Sequence, residues 1–364
     1  MNNYRTYMDK YNEFSRNLLL AVLEKEGMNN ILVSPLSVIE ALCTTARATG
    51  GNTRDEILSC ISDGRSIDEM IRALKMLTVK AEKSGSLKIA NAVAVAERIR
   101  DTINKDFVRS LKEDLGGELF ASAELAEDVN NWVKKNTNGM IDKLLDGPVE
   151  TLIACILNAV AFESVWEEQY SEEDIYEDDF TNADGTVAKV EMLSSQEESY
   201  IENLRYTGFL KPYKGGEYSF MALLPKNKTH RLMAHDLKSV NFTRLLRNSM
   251  EVSVNAVMPE FKYTYGGDIT DICRAMGIKR VFTSGADFSP MTANPAMADS
   301  IIHKAHIELD RKGTKAAAVT AVMLAEGCAF ELETKYVTLD RPFVYAIMHN
   351  ETGLPVFAGV VNQL

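Results

Sequence analysis

The sequence predicts an α+β fold, in which helices come first along the chain and strands come later. Apolar residues recur at helical spacing in the N-terminal part, beginning with Tyr11, Phe14, Leu18 and Val22. After residue 187 most of the signal comes from short apolar runs that are typical of strands and are separated by Gly, Pro and Asn. With 364 residues, 46% hydrophobic and 25% charged, the chain has the composition of a globular protein with a sizeable core. This order of elements favours the α+β class.

The helices are predicted from apolar periodicity and from capping residues. The first ends near Gly27, a residue type that is common at helix C-termini. Ser34, which is followed by a proline, opens a second helix through Leu42, and Thr53 is predicted to cap a third that ends at Ile61. The same period predicts three more helices, over 67–77, 107–115 and 129–145.

The predicted strands begin with 87–96 and 152–162. The second run is too continuously apolar for a half-exposed strand, so we expect a central strand that is buried on both faces. The sequence contains no internal repeat and no linker rich in Pro, Gly and Ser that would separate two domains. Five further strands are predicted, over 218–224, 252–258, 301–309, 343–348 and 356–361.

The charge balance excludes some classes of partner. A formal net charge of −12, from 52 acidic and 40 basic residues, argues against binding of nucleic acid or anionic lipid through neutralised phosphates. A basic partner suits the chain better. The sequence shows no run of about twenty apolar residues, so we expect no membrane insertion. We expect an extracellular or cell-surface protein if a signal peptide has been removed before Met1, and a cytoplasmic protein otherwise.

The cysteines and histidines predict neither a disulfide framework nor a metal site. The five cysteines are scattered and form no CxxC pair. His303 and His306 are three residues apart in a predicted strand, which places them on opposite faces and excludes a chelating pair. The sequence also lacks GxSxG, Walker, GxGxxG and HExxH motifs. We therefore expect no metal, no cofactor and no enzymatic activity. An enzyme that uses His303 and Cys328 as a catalytic pair is the least favoured alternative.

An acidic run over 167–179 holds eight acids in thirteen residues. We interpret it as a solvated loop. An exosite for basic proteases and a weak cation site are the alternatives, although nothing in the sequence determines a coordination geometry.

The segment over 313–324 is made of small residues and contains no proline. Read as a strand, it places Thr314, Ala316 and Ala318 on one face and its only charge, Lys315, on the other. It lies between two strong strand signals, where it would form a long apolar exposed loop, which is a liability unless function requires it. A short Ala-rich helix is the alternative.

Six further motifs are spread along the chain, and they are 30–37, Asn158 with Trp166, Pro259-Glu260-Phe261, His303-Lys304-Ala305, Gly313-Thr314 and Arg341-Pro342-Phe343. In these motifs and in their order, the chain resembles the serpins from end to end. The resemblance implies a single serpin domain over 1–364, with three β-sheets, about eight or nine helices and an exposed reactive-centre loop at about 311–335.

The resemblance also implies an irreversible suicide-substrate inhibitor of serine proteases. A target serine protease attacks the loop and forms an acyl-enzyme, and the cleaved loop then inserts between two strands of the large sheet and traps the covalent complex. The inserting face carries no proline, bulky residue or charge, which favours an inhibitor over a non-inhibitory serpin that acts as a binding or chaperone protein. We expect a monomer with a risk of loop-sheet polymers. The hinge of the loop comprises Arg311, Gly313, Thr314, Lys315, Ala316, Ala317 and Ala318.

Family spacing places the reactive bond between Gly327 and Cys328, with Glu326 and Ala329 as candidates if the register slips. A small residue before the bond suits an elastase-like protease with a shallow specificity pocket, and a subtilisin-like protease is the other candidate. Glu326 at that position would indicate a glutamyl-specific protease instead.

The chain departs from the family pattern at one pair of charges. The family usually has Glu two residues before the hinge glycine and Lys after the proline of a neighbouring strand, whereas this chain has Arg311 and Glu260. We predict a salt bridge between them that restrains premature insertion. Four polar residues also match the network that the family places beneath the strands that must part, here called the shutter network: Ser34, Ser37, Asn158 and His303.

Overall fold

A computed structural model describes residues 2–62, 64–145, 154–227, 231–298, 300–314 and 334–364, with side chains from Tyr7 onward. Over these residues the chain forms an α+β fold with three β-sheets, as the sequence predicts. None of the described helices is long and apolar enough to cross a membrane.

The described residues form nine α-helices, most of them in the N-terminal part. Three short 3-10 helices lie over Glu97–Thr102, Glu172–Asp174 and Arg280–Phe282. The α-helices are α1 (Asn2–Glu26), α2 (Pro35–Ala48), α3 (Gly51–Ile61), α4 (Ile67–Ala81), α5 (Lys105–Leu115), α6 (Leu125–Asn136), α7 (Ala234–Leu237), α8 (Phe242–Arg247) and α9 (Thr270–Ala275).

The same residues form sixteen strands. The strands are β1 (Ile31–Val33), β2 (Leu87–Ala96), β3 (Glu118–Ser122), β4 (Ala154–Phe162), β5 (Ser164–Val165), β6 (Ile175–Thr181), β7 (Val187–Glu202), β8 (Tyr206–Pro212), β9 (Tyr218–Pro225), β10 (Met250–Pro259), β11 (Phe261–Asp268), β12 (Ile302–Asp310), β13 (Gly313–Thr314), β14 (Lys335–Thr338), β15 (Phe343–His349) and β16 (Leu354–Val361).

The strands are distributed over sheets of nine, four and three strands. The nine-stranded sheet has the order β1-β16-β15-β9-β8-β7-β10-β14, with β6 paired to β7 at its side. The four-stranded sheet has the order β11-β12-β13-β5, and the three-stranded sheet has the order β3-β2-β4. The long strand β4 and the strand β12 therefore belong to different sheets among the residues described.

Capping residues explain where several helices begin and end. The Ser34 hydroxyl caps α2 by accepting a hydrogen bond from the Ser37 amide, and a proline occupies the first helical position. Several predicted boundaries are wrong. Helix α2 continues to Ala48 and not to Leu42, and α4 continues to Ala81 and not to residue 77. Helix α3 begins at Gly51, because Gly50 takes the N-cap position that we expected for Thr53. Helix α6 ends at Asn136 and not at residue 145, because Asn138 adopts a left-handed conformation with φ of 51°.

The acidic run is partly regular structure, so its interpretation as a loop is wrong over the range of β6. There it pairs with β7, and Glu177 lies directly opposite Glu191, a like-charge pair that costs some stability. Asp179 compensates in part through an ion pair of 2.7 Å with Lys189. Strand β7 itself was missed, because it alternates between exposed and half-buried positions over much of its length and carries many charged residues.

The described chain divides into two compact units. The first contains Met1–Lys25, Val33–Ala161 and Thr264–His306, and its core includes the apolar cluster of Val129, Trp132 and Val133 from α6 against β2 and β4. The second contains Glu26–Leu32, Phe162–Tyr263 and Ile307–Leu364, and its strands β9, β15 and β16 are buried throughout. The single domain expected over 1–364 stays a prediction.

Candidate functional site

The start of the hinge is itself a strand of the four-stranded sheet. Gly313 and Thr314 form β13, which pairs on one side with Leu309 and Asp310 of β12 and on the other side with β5. A two-residue turn joins β12 to β13, and the Asp310 carboxylate accepts hydrogen bonds from the amides of Lys312 and Gly313 at 2.7 and 3.1 Å. The first two residues after the turn are thus already enclosed by strands.

Gly313 is required by the close approach of β5. Its φ of +155° favours glycine, and a β-carbon at this position would lie 2.2 Å from the backbone oxygen of Ser164. No side chain can be accommodated at that distance unless the backbone of one strand moves.

We expect Gly313→Ala to weaken the pairing of β13 with β5 by about 1–3 kcal/mol, the usual cost of forcing an extra carbon into a packed site. Hydrogen exchange of a peptide covering 309–314 should become faster. Gly285→Ala is the matched control, because its added β-carbon would meet only the Thr283 hydroxyl, at 3.8 Å. Unchanged exchange in the Gly313 variant would contradict the requirement for glycine.

Thr314 is buried, with 3% of its surface exposed, and its hydroxyl has a partner. The hydroxyls of Thr314 and Tyr213 are 2.6 Å apart. The Tyr213 ring stacks on Trp166 with 4.4 Å between the centroids, and the Trp166 indole donates a hydrogen bond to the Asp310 backbone oxygen at 2.9 Å. Burial raises the pKa of Tyr213, so its hydroxyl keeps its proton. The site therefore accepts a small polar side chain without leaving a polar atom unpaired.

Arg311 lies beside Glu260, with 3.2 Å between its Nε and the Glu260 Oε1. The same oxygen accepts a hydrogen bond from the Arg311 amide at 2.9 Å. The guanidinium also pairs with Glu172 at 3.2 Å and with Glu191 at 3.3 Å, two partners that the sequence did not reveal. Arg311 is 29% exposed on its side chain, so these pairs are partly screened by solvent.

A buried ion pair near the hinge was missed by the sequence analysis. Lys211 Nζ lies 2.8 Å from Glu197 Oε1, and both side chains are almost fully buried. The Lys211 ammonium also lies 4.4 Å from the centre of the Tyr170 ring, and the Ser195 hydroxyl donates to Glu197 at 2.6 Å. A lysine that follows the apolar pair Phe209-Leu210 within a strand was the available signal.

The structure brings the four residues of the shutter network together in the first unit. The Ser34 amide donates a hydrogen bond to His303 Nε2 at 3.1 Å, and the Ser37 hydroxyl donates to Asn158 Oδ1. All four residues are buried. Burial lowers the pKa of His303 to about 4, so the ring is neutral at pH 7 and its Nε2 can accept the hydrogen bond.

The network extends to Glu40, which the sequence analysis also missed. Asn158 Nδ2 donates to Glu40 Oε2 at 3.1 Å and to Asn91 Oδ1 at 2.6 Å. A lone acid among the apolar residues of the predicted second helix was the available signal.

The rest of the predicted site lies outside the described residues and stays a prediction. Among the residues described, no group of three or more His, Cys, Asp or Glu side chains could hold a metal ion. The residues of the predicted site that the structure does not describe are Lys315, Ala316, Ala317 and Ala318 of the hinge, and Glu326, Gly327, Cys328 and Ala329 around the reactive bond.

Known proteins resemble this chain over almost its whole length. Leukocyte elastase inhibitor A of Mus musculus is 28% identical over 371 residues, which cover 96% of this chain and 97% of that protein. The crystal structure of tengpin, a thermophilic serpin, in the native state is 31% identical with a TM-score of 0.87, and covers 98% of this chain and 94% of tengpin. Thyroxine-binding globulin in complex with thyroxine is 20% identical, with a TM-score of 0.86 and 98% of both chains covered, and shares the fold.

The family model described as serpin (serine protease inhibitor) matches residues 9–364. Its match includes the glycine that enters the four-stranded sheet and the buried network beneath α2. The chain therefore belongs to the serpin family.

Proposed function

We propose that this protein is an irreversible suicide-substrate inhibitor of serine proteases, either elastase-like or subtilisin-like. Serpins are mostly protease inhibitors and are not enzymes, and the family also has non-inhibitory members such as thyroxine-binding globulin. The observation that carries the proposal is the pairing of Gly313 and Thr314 between β12 and β5, because the proposed insertion would continue from these two residues.

The proposed reaction starts as ordinary proteolysis. The protease serine attacks the carbonyl carbon of Gly327, the peptide bond to Cys328 breaks, and the amine leaves with a proton. Gly327 is then held to the protease as an ester. Water completes the hydrolysis unless the cleaved loop inserts first and displaces the protease from its working geometry.

Insertion has enough driving force to distort a protease. If the loop forms about ten new backbone hydrogen bonds at roughly 0.5–1.5 kcal/mol net each, the gain is on the order of 10 kcal/mol. Globular proteins are stable by about 5–15 kcal/mol, so the two quantities are comparable. The hinge supports this step, because Gly313 fits against β5 and the Thr314 hydroxyl has its partner in Tyr213.

The proposal predicts a covalent complex that survives denaturation. The protein is incubated with elastases, subtilisin, trypsin-like and glutamyl-specific proteases, and the products are separated on a denaturing gel. We expect a band at the summed mass of the two proteins less the C-terminal peptide that begins at Cys328, which is released. Proteases whose active serine has been chemically blocked are the matched control and should give no band.

The outcome also separates the alternatives. A released peptide that begins at Gly327 would place Glu326 before the bond and indicate a glutamyl-specific target. Cleavage within the loop by every protease, without a covalent band, would contradict inhibition and favour the non-inhibitory role as a binding or chaperone protein.

A further inference from the structure

Glu40 lies in the middle of α2, three residues after Ser37, so these two side chains are neighbours on one face of the helix. Its side chain is buried, with 4% of the residue exposed. One carboxylate oxygen accepts from the Thr78 hydroxyl at 2.7 Å. The other accepts from Asn91 Nδ2 at 2.9 Å and from Asn158 Nδ2 at 3.1 Å. The carboxylate thus joins α2 to α4, β2 and β4.

Helix α2 also contacts β4 and β12, which belong to different sheets. Its N-cap amide binds His303 of β12, while Ser37 and Glu40 bind Asn158 of β4. A change in the spacing of β4 and β12 must therefore break contacts of α2 on one side. Glu40 adds Asn91 of β2 to the β4 side, and so holds two strands of the three-stranded sheet against the helix.

Ionisable groups from the surrounding elements face Glu40. Burial raises the pKa of Glu40 to about 7, although its three hydrogen bonds act in the opposite direction. Burial also raises the pKa values of Tyr11 on α1 and Cys43 on α2, which keeps both groups neutral between pH 6 and 8. A cavity of about 240 Å³ connects Glu40 with further charged groups, which are Lys75, Glu82, Lys112, Glu113 and Asp114.

We propose that Glu40 is a positioning residue whose ionisation controls how readily β4 moves relative to α2, and therefore how fast the loop inserts. The proposal rests on the proposed function, because it concerns the insertion step of that reaction.

The argument starts from the three hydrogen bonds that the carboxylate accepts. Hydrogen bonds to an ionised acceptor are stronger than those to a neutral one. Movement of β4 removes the Asn158 donor while Glu40 stays beneath the sheet. A buried charge that loses a donor costs far more than a neutral group that does so. Insertion should therefore be slow when Glu40 is ionised and fast when it is protonated.

Global unfolding should show a different dependence on pH, because it transfers Glu40 to water. The pKa of Glu40 is raised in the folded state, so its contribution to stability is complete below about pH 4.5 and is lost as the pH rises through about 7. Raising the pH should therefore make the protein easier to unfold and yet slower to insert a loop. A general loosening of the fold would change both quantities in the same direction.

The experiment measures uptake of a fluorescently labelled peptide with the sequence of residues 314–325 at pH 6, 7 and 8. A carboxyl with a pKa near 7 is about nine-tenths neutral at pH 6 and about one-tenth neutral at pH 8. We expect uptake about tenfold faster at pH 6 than at pH 8. Glu40→Gln should insert at the fast rate at every pH. Thr78→Val, which removes one donor to the carboxylate, should move the midpoint to higher pH.

Two matched controls identify the titrating group. Glu113→Gln removes an exposed carboxyl that lines the same cavity, and His306→Gln removes a histidine on β12 itself; both should keep the tenfold change. Equal uptake at pH 6 and 8, no uptake at any pH, or a tenfold change that persists in Glu40→Gln would each overturn the proposal. A pH-dependent uptake without a covalent protease complex would support the role of Glu40 and contradict only the proposed function.

Discussion

Thr314→Arg should convert the proposed inhibitor into a substrate of its target protease. Thr314 is 3% exposed, and its hydroxyl contacts the hydroxyl of Tyr213. An arginine at this position would place a positive charge in a buried site where Thr314 has a hydroxyl as its partner and not a carboxylate. An uncompensated buried charge costs about 3 kcal/mol or more, which should displace the start of the hinge from β13. Insertion must then bury the charge again, which slows it by about a hundredfold. Hydrolysis of the acyl-enzyme then comes first. The expected result is cleaved protein, active protease and no covalent band on a denaturing gel.

Two conservative variants show which property of Thr314 matters. Thr314→Ser keeps the hydroxyl and should inhibit normally. Thr314→Val keeps the shape but leaves the Tyr213 hydroxyl unpaired, at a cost of about 1–3 kcal/mol, and should divide its product between complex and cleaved chain. If Thr314→Arg forms complex as efficiently as the parent protein, burial of Thr314 between β12 and β5 is not required for inhibition.

Arg311→Glu should release the hinge and increase latent or polymeric forms. The substitution replaces a cation by an acid within reach of Glu260, Glu172 and Glu191, so three attractions become repulsions. Each pair is partly exposed and worth up to about 1 kcal/mol, but their sum is a sizeable fraction of the stability of a protein. Size-exclusion chromatography after mild heating should show less monomer than in the parent protein.

The structure also indicates how far the double variant should recover. Adding Glu260→Lys to Arg311→Glu restores opposite charges at positions 260 and 311, which also share a backbone hydrogen bond in the parent protein. Glu172 and Glu191 continue to repel the new acid. We expect the monomer to recover in part. Arg311→Lys is the matched control, because it keeps the charge but loses the planar group that contacts three carboxylates at once. A double variant with no more monomer than Arg311→Glu alone would show that the pairing does not restrain the hinge.

The contacts of the four shutter residues and of Gly313 and Thr314 involve residues that lie in short motifs, which are recognisable along the chain. The rest of the hinge stays a prediction. The salt bridge between Arg311 and Glu260 followed from a single feature, two charges exchanged relative to the pattern of a family. No motif contains Tyr213 together with Thr314, because their contact spans 101 residues and depends on how the residue that follows β8 meets β13.

The sequence analysis missed other features because long-range contacts determine them more strongly than the local sequence pattern does. Glu40 is visible as an acid in an apolar helix, but its partners are 38, 51 and 118 residues away along the chain. Strand β7 combines many charged residues with pairing to three other strands, so its composition hides its conformation. Helix α6 ended early because one asparagine took a left-handed conformation, which periodicity alone does not detect.

The tight turn between β12 and β13 has a consequence for how this protein can evolve. Its register places Gly313 opposite Asp310 and Thr314 opposite Leu309. Because side chains alternate along a strand, each residue that joins this strand later is assigned to the same face as Thr314 or to the opposite one. Under the proposed mechanism, selection for insertion would act on the residues of one face, and the residues of the other face would be free to change. The sequence of the loop could therefore diverge at every second position while insertion is retained.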